Sequence, residues 1–379
     1  MRNNKPVVAH INYSFFEKTE TFIYNYISNL KRFYPIYLGA EFKNLDQFSL
    51  LMEDSYNFSI KKYSYYWFVK KAFGINIKME RILKNRRAKI IHAHFGKHGV
   101  YALQFRKRLK IPIITTFYGH DISASSYLNE YKREYRPLFN YGDLFLVEGN
   151  FMKSKLTDMG CPVEKIKIQR IAIATDKISF TPRLVKKRNE KVIFIFGGRF
   201  VEKKGLIYAL QALKIVRERN KNFEMHIIGD GPLRPAIESF IKEHTMASYV
   251  KLLGFLTYRQ YLDEMQKSDV FIHPSVTAKD GDSEGGAPTT ILEAQAMGMP
   301  VISTLHADIP NVVVPGKSAL LAKERDIDGL SNNILYLIEN QALWGDMGKA
   351  GREFVTQYHN ISNETPKLEE HYQRLINDL

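Results

Sequence analysis

The chain has 379 residues, 45% of them hydrophobic and 13% aromatic, which is enough apolar material for a large core and a length suited to two domains. Its single cysteine, Cys161, excludes an internal disulfide and a zinc site built from cysteine pairs, and no stretch reaches the ~18 apolar residues needed to span a bilayer. The formal charge of +15 is lopsided: residues 1–185 hold 31 Lys and Arg against 15 Asp and Glu, whereas residues 186–379 hold 24 against 25, so the two halves are expected to meet different partners.

The amino-terminal segment MRNNKPVVAHINYSFF lacks the apolar core of a signal peptide, so a cytoplasmic protein is expected. Short runs rich in β-branched and aromatic residues then alternate with longer amphipathic stretches, the pattern of a parallel α/β sheet. In the first half these runs are 7–11, 35–38, 89–92, 112–116 and 144–147; in the second they are 192–196, 224–228, 250–253, 270–273 and 301–303. Each half predicts its own doubly wound sheet, giving an α/β fold of two Rossmann-like domains facing a cleft. The expected domains are residues 1–180 and 190–360, with the polar, basic stretch 181–191 (TPRLVKKRNEK) as linker. A last helix over roughly 364–379 is expected to pack back on the first domain.

Along the first half, TETFI at 19–23 follows the first strand, where Thr19 and Glu20 suit a helix cap as well as a ligand contact, with Glu20 the stronger candidate. The stretch 61–89 mixes aromatic rings with lysine and arginine, and residues 60–110 hold 15 basic residues against the single acid Glu80. An interfacial helix on an anionic leaflet needs these ingredients, each near-surface cation adding about 1 kcal/mol. A solvated basic face and an RNA-binding patch are the rival readings. His92, His94 and His98 share a strand face by alternation, but no cysteine joins them and no acid lies within ten residues, so no metal site is expected. FYGHDIS at 117–123 leaves a strand at the carboxyl edge, where open α/β sheets bind ligands.

In the second half, the run VIFIF leads into Gly197, Gly198, Arg199 and Lys204 before Gly205 opens a helix. Glycines admit a ligand close to the backbone, a helix amino end favours an anion, and two cations at one spot read as a diphosphate clamp. The segment lacks the Gly-Lys-Ser/Thr of a Walker loop, and a solvated surface turn is its bland reading. Gly229-Asp230-Gly231-Pro232 resembles half a dinucleotide fingerprint, but Arg234 stands at the third glycine, which argues against a nicotinamide site. Asp280-Gly281-Asp282 mimics a metal-binding Asp-x-Asp, yet its place before EGGAP favours a loop, so no metal requirement is expected. Farther on, Gly285 and Gly286 precede Pro288 at a helix start, Gly298 closes that helix, and Glu293 projects from it. A carboxylate there accepts hydrogen bonds from a vicinal diol such as ribose; a helix-dipole or salt-bridge role is the alternative.

At these residues the chain resembles glycosyltransferase family 4, enzymes of the GT-B fold, whose donor site carries a Gly-Arg…Lys-Gly element and a Glu-x7-Glu element. The resemblance extends over nearly the whole chain, through TETFI, HAHFG at 92–96 and FYGHDIS, and is nearest to the branch that builds colanic-acid-like exopolysaccharides. It implies that Arg199 and Lys204 hold the donor diphosphate, that Glu293 binds ribose, that Glu284 approaches the transferred sugar, and that backbone around Gly254, Phe255 and Leu256 receives the base. Glu284 and Glu293 are nine apart, one more than the family spacing. Either a bulge still presents Glu284, or the amides of Gly285, Gly286 and Ala287 take over the sugar contacts.

Many relatives carry His-Gly-x-Asp where this chain has Tyr118-Gly119-His120-Asp121. The resemblance therefore nominates His120 and Asp121 for the acceptor side, with Tyr118 as rival and His94 and Glu20 beside them. His120 would join Arg199, Lys204 and Glu284 as the catalytic set. The implied protein is a retaining hexosyltransferase taking a nucleotide sugar, UDP-sugar favoured over GDP-sugar, to a lipid-linked or polysaccharide acceptor without a cofactor or metal. It would work at the inner face of the cell membrane, with its basic first domain on the anionic surface and no nucleic-acid partner. A sugar-nucleotide epimerase of similar architecture and a basic nucleic-acid-binding protein are the alternatives. The charge asymmetry argues against the first, and the Arg199, Lys204 and Glu293 constellation against the second.

Overall fold

The apolar runs form strands without polar alternation because both faces of each sheet are covered. The structure, a computed structural model, describes residues 5–17, 20–45, 48, 52–59, 76–187 and 189–378. Two units emerge: residues 1–122, 126–172 and 361–379 make the first, and 123–125 with 173–360 make the second.

The first unit contains β1 (Val7–Ile11), β2 (Ser14–Phe15), β3 (Tyr34–Gly39), β4 (Glu41–Phe42), β5 (Ser55–Asn57), β6 (Ala88–His94), β7 (Ile113–Thr116), β8 (Leu144–Val147) and β9 (Ile166–Ile168). Seven of them form one parallel sheet in the order β5-β3-β1-β6-β7-β8-β9, and β2 pairs with β4 apart from it. Alternate residues of the sheet feed two cores. Ala9, Ile11, Ile36 and Ile91 pack with Met79, Leu83 and Phe105 of the helices Ile77–Asn85 and Gly96–Leu109. Their neighbours Val8, Ile90, Ile114 and Leu146 pack with Leu368 and Tyr372 of the helix Ile361–Asn377. That helix starts three residues ahead of the expected 364. It is fastened by Glu369, whose Oε1 accepts the Lys31 and Arg32 amides at 2.7 and 2.6 Å.

The second unit contains β10 (Val192–Gly197), β11 (Phe223–Ile228), β12 (Val250–Gly254), β13 (Val270–His273), β14 (Val301–Thr304) and β15 (Ala319–Ala322). These are all parallel, in the order β12-β11-β10-β13-β14-β15. Phe194, Phe196 and Ile272 pack with Leu210 and Leu213 of the helix Leu206–Arg219 and Leu330 and Ile334 of the helix Ile327–Glu339. Each such fully buried side chain stabilises the fold by about 1.5–3 kcal/mol.

The chain passes between the units at Ala172–Ile173, ahead of the stretch 181–191. Within that stretch Arg183 is buried, and its guanidinium donates to the carbonyl oxygens of Thr181, Ser268 and Met265 at 2.5, 2.7 and 3.0 Å. Five hydrogen-bond donors in a fixed fork clip it to the second unit, so a basic residue read as linker is part of a domain. Thr19 and residues 60–75 of the basic, aromatic stretch lie outside the described residues. Among those described, no helix is long and apolar enough to cross a membrane.

Candidate active site

Both sheets reverse their winding at the first strand. This opens a crevice outside the carboxyl ends of β10 and β13 in the second unit, and of β1 and β6 in the first. In the second unit β10 delivers Gly197, Gly198 and Arg199 to this edge. Gly229, at φ +134°, packs beneath them so closely that a Cβ would lie 1.9 Å from the Gly198 carbonyl oxygen. The Gly-Asp-Gly-Pro turn therefore supports the arginine loop, which explains its glycines without a dinucleotide. Gly205, at φ +65°, follows the 3-10 turn Glu202–Lys204, and a Cβ there would lie 1.8 Å from the carbonyl oxygen of Pro274 beyond β13. A glycine lets these two loops meet.

The adjacent lysines part company. Lys203 is buried and donates to the Asp282 carboxylate and the Ser283 carbonyl, both at 3.1 Å. This pins the loop ahead of Glu284 and neutralises one acid of the Asp-x-Asp stretch. Lys204 Nζ lies 2.8 Å from Glu284 Oε2, 80 residues away in sequence. Glu284 Oε1 accepts from the Ser275 hydroxyl at 2.9 Å and lies 3.6 Å from His273 Nε2. Glu284 thus has a buried side chain, with both carboxylate oxygens engaged by residues of its own unit. Its backbone N–H donates to His306 Nε2 at 3.1 Å, and His306 Nδ1 donates to Glu324 at 2.7 Å. The amides of Gly285 and Ala287 have no acceptor among the described residues, just ahead of the helix Thr289–Ala296.

Burial alone would raise the Glu284 carboxyl, but the Lys204 ammonium, then His273 and Lys203, hold it well below the ordinary carboxylate range. Burial acts on Lys204 in the other sense, lowering its ammonium despite Glu284, while Lys203 and Arg199 add repulsion. Arg199 itself is exposed. Lys203 and Lys204 act on Glu284, Lys203 is also paired with Asp282, and Arg199 acts on Lys204 from the surface; three cations against two carboxylates leave the edge suited to an anion.

Glu293 is 7% exposed, and its Oε1 accepts the Tyr258 hydroxyl at 3.0 Å. Burial pushes its carboxyl up to about 7, against the pull of the Tyr258 and Tyr261 hydroxyls. No ion pair reaches it among the described residues, so it is an acceptor for neutral hydroxyl donors, as a diol supplies. The Gly254 carbonyl accepts the Gly229 amide at 2.9 Å, which ties the stretch 254–256 to the same edge; Phe255 is exposed and Leu256 half-buried.

In the first unit the equivalent edge holds a histidine network. His10 Nδ1 on β1 lies 3.1 Å from His94 Nε2 on β6, and His94 Nδ1 lies 2.7 Å from the Tyr118 hydroxyl. His92 sits between the hydroxyls of Tyr372 and Thr116, at 2.6 and 2.7 Å. His98 accepts the Tyr13 amide at 3.1 Å and donates to the His94 carbonyl, on the helix after β6 rather than on the strand face. Burial lowers all four imidazoles, to about 3 for His92 and about 4 for His98, which keeps them neutral. Ligand atoms of His10, His92 and His94 lie within 4.8 Å of one another, so the trio with metal-like spacing includes His10 in place of His98. The bonds just described give protein partners to every ring nitrogen of His92 and His94.

The acceptor-side candidates separate. His94, Tyr118, Phe22 and Glu148 line one recess, whereas His120 is exposed beside Tyr127. Asp121 corrects the expectation: it is fully buried, and its carboxylate accepts the amides of Gly96 and Tyr118 at 2.8 and 3.0 Å. It caps a helix start and turns no oxygen to a ligand. Burial raises its carboxyl to about 6 in spite of those bonds. Glu20 precedes the helix Thr21–Ser28 without capping it through its side chain, and its carboxylate accepts from the Asn12 side-chain Nδ2 at 3.4 Å.

Two Rossmann-like units of this strand order, one with cations and carboxylates at its switch point, define the GT-B class of glycosyltransferases. The description "Glycosyltransferase Family 4" matches residues 4–177 and "Glycosyl transferases group 1" matches residues 178–354. The glycosyltransferase WcaL assigned to colanic acid biosynthesis in Escherichia coli (strain K12) is 38% identical over 250 residues, covering 65% of this chain and 61% of that protein. Its Salmonella typhimurium (strain LT2) counterpart is 37% identical over 277 residues, covering 72% and 67%. The matched stretches thus span somewhat under, and just at, two thirds of these relatives' own lengths. The crystal structure of Anabaena HepE in complex with UDP and glucose superposes with a TM-score of 0.76 at 13% identity, over 98% of this chain and 100% of that one, a likeness of fold. The chain belongs to the family 4 glycosyltransferases. This membership favours neither the epimerase nor the nucleic-acid reading.

Proposed function

We propose that the chain is a retaining hexosyltransferase that moves a sugar from a nucleotide-diphosphate sugar to a lipid-linked or polysaccharide acceptor in exopolysaccharide biosynthesis. The observation that carries the reading is the joining of Lys204 and Glu284 at the switch-point edge, beside the exposed Arg199. Arg199 and Lys204 hold the diphosphate, Glu293 takes the ribose diol, and Glu284 with the amides of Gly285, Gly286 and Ala287 faces the sugar. As the bond from the anomeric carbon to the diphosphate oxygen breaks, the acceptor oxygen bonds that carbon on the same face and its proton passes to the departing diphosphate. Fixed cations stabilise the charge that develops there, often the largest catalytic contribution. Arg199, Lys204, Glu284 and the exposed His120 form the catalytic set, with Tyr118, His94 and Glu20 toward the acceptor.

UDP-sugar is favoured as donor, and HepE, a fold neighbour, binds UDP. The colanic acid assignment of the relatives supports an exopolysaccharide product. The basic first half supports cytoplasmic attachment to an anionic membrane surface, and two cations already on the diphosphate support turnover without a metal. A thermal-shift screen of UDP, GDP and ADP sugars tests the reading, since a cognate donor at 100 times its Kd stabilises by ~2.7 kcal/mol. Replacing Arg199 or Lys204 should abolish the shift and cost on the order of a hundredfold in turnover; an unchanged rate in both variants rules the clamp out. Product NMR then reads the anomeric configuration, and inversion refutes retention.

A further inference from the structure

The loop bearing Glu284 is held at its backbone by residues that the donor reading leaves unused. His306 and Glu324 lie just beyond the carboxyl ends of β14 and β15. His306 is buried, accepts the Glu284 amide at Nε2 at 3.1 Å, and meets Glu324 through Nδ1 at 2.7 Å. An amide can only donate, so Nε2 is the acceptor and the proton sits on Nδ1, which specifies one neutral tautomer. Glu324 is fixed in turn by the Thr277 amide and hydroxyl at 2.8 and 3.2 Å. The residues directly after the pair, Ala307 at φ +47° and Arg325 at φ +62°, take left-handed backbone that non-glycine residues adopt where the surroundings enforce it.

We propose that His306, oriented by Glu324, is a positioning residue that fixes the Glu284 backbone and so sets recognition of the transferred sugar, as distinct from the nucleoside diphosphate. This rests on the donor-site reading above. Lys204 draws on the carboxylate of Glu284 while His306 holds its amide; without His306 the pair with Lys204 survives, but the loop is free to shift along it. Diphosphate binding uses Arg199 and Lys204 and is spared. Sugar recognition, which needs Glu284 and the adjacent glycine amides in register, is not.

The test uses the full chain with His306→Ala, Glu324→Ala and His306→Gln, measuring calorimetric affinity and turnover for UDP and GDP against UDP-glucose, UDP-galactose and GDP-mannose. His306→Ala and Glu324→Ala should bind the nucleoside diphosphate within about twofold of wild type and lose about tenfold in the affinity or kcat contributed by the sugar. His306→Gln, whose side-chain oxygen replaces Nε2 as acceptor, should recover most of that loss. Equal losses for nucleoside diphosphate and nucleotide sugar, no loss for either, or no rescue by glutamine overturns the positioning role. A wild-type chain that binds none of the five compounds overturns the donor-site reading on which it rests.

Discussion

Glu293→Gln separates the stability of the second unit from its proposed use. Glu293 is buried with a tyrosine hydroxyl for company, and its carboxyl is raised to about 7 from 4.5 in the unfolded chain. By linkage, an acid whose folded value is raised favours folding in its protonated form, so its contribution is intact below about 4.5 and lost as pH climbs through 7. Against a neutral isostere the carboxyl therefore costs about 1 kcal/mol at pH 5 and about 3 kcal/mol at pH 8. Glutamine keeps the volume and still accepts from Tyr258. Scanning calorimetry should show the variant melting roughly 6 °C or more above wild type at pH 8 and only about 2 °C above it at pH 5. The same variant should bind its nucleotide sugar about tenfold more weakly, because a ribose diol loses a charged acceptor. A melting temperature that does not rise, or rises equally at both pH values, refutes the burial argument. A gain in stability with unchanged donor affinity refutes the ribose role alone.

Gly205→Ala drives a Cβ into the Pro274 carbonyl oxygen, 1.8 Å away, from a left-handed backbone; urea unfolding should show a loss of at least about 2 kcal/mol together with loss of the donor-induced thermal shift. Arg183→Met strips the carbonyls of Thr181, Ser268 and Met265 of their donor, and should cost about 3 kcal/mol in the same assay while leaving the charge of the donor edge unaltered. Turnover should persist in EDTA, and a full loss restored by manganese would reverse the metal-free proposal. The chain should sediment with anionic vesicles at low salt and release in 0.5 M salt, roughly where the Debye length falls to 4–5 Å; failure to sediment at low salt removes the membrane proposal.

All ten apolar runs read from the sequence are strands, because parallel strands buried on both faces announce themselves by composition alone. The strands left unread are the edge pieces: β2, β4, β5 and β9 have two or three residues each, too few for any period, and β15 (ALLA) is helix-prone in composition. Arg199, Lys204, Glu284 and Glu293 were legible as a motif, but their connections were not. Nothing local distinguishes Lys203 from Lys204, which turn to different acids, and nothing ties Tyr258 to Glu293 across 35 residues or His306 to Glu284 across 22. Parallel sheets bring the carboxyl ends of distant strands together, so neighbours at such an edge are remote in the chain by construction. Alternation placed His98 with His92 and His94, but β6 ends at His94, and it is His10 from the adjacent strand that completes the trio. Asp121 misled for a related reason: a buried acid capping two amides looks, in one dimension, like an exposed one.

The helix Ile361–Asn377 has a consequence for how the chain comes into being. Its Leu368 and Tyr372 close one face of a sheet whose first strand begins at Val7, and Glu369 binds the amides of Lys31 and Arg32. A ribosome making this protein releases the whole second unit before it releases the piece that finishes the first. Until then Val8, Ile90, Ile114 and Leu146 have an incomplete apolar cover, an opening for association with other nascent chains. The second unit, continuous from 173 to 360 apart from three residues, faces no such wait and is the natural first folder. Truncation near residue 360 should therefore damage the amino-terminal unit, the one farthest from the cut in sequence.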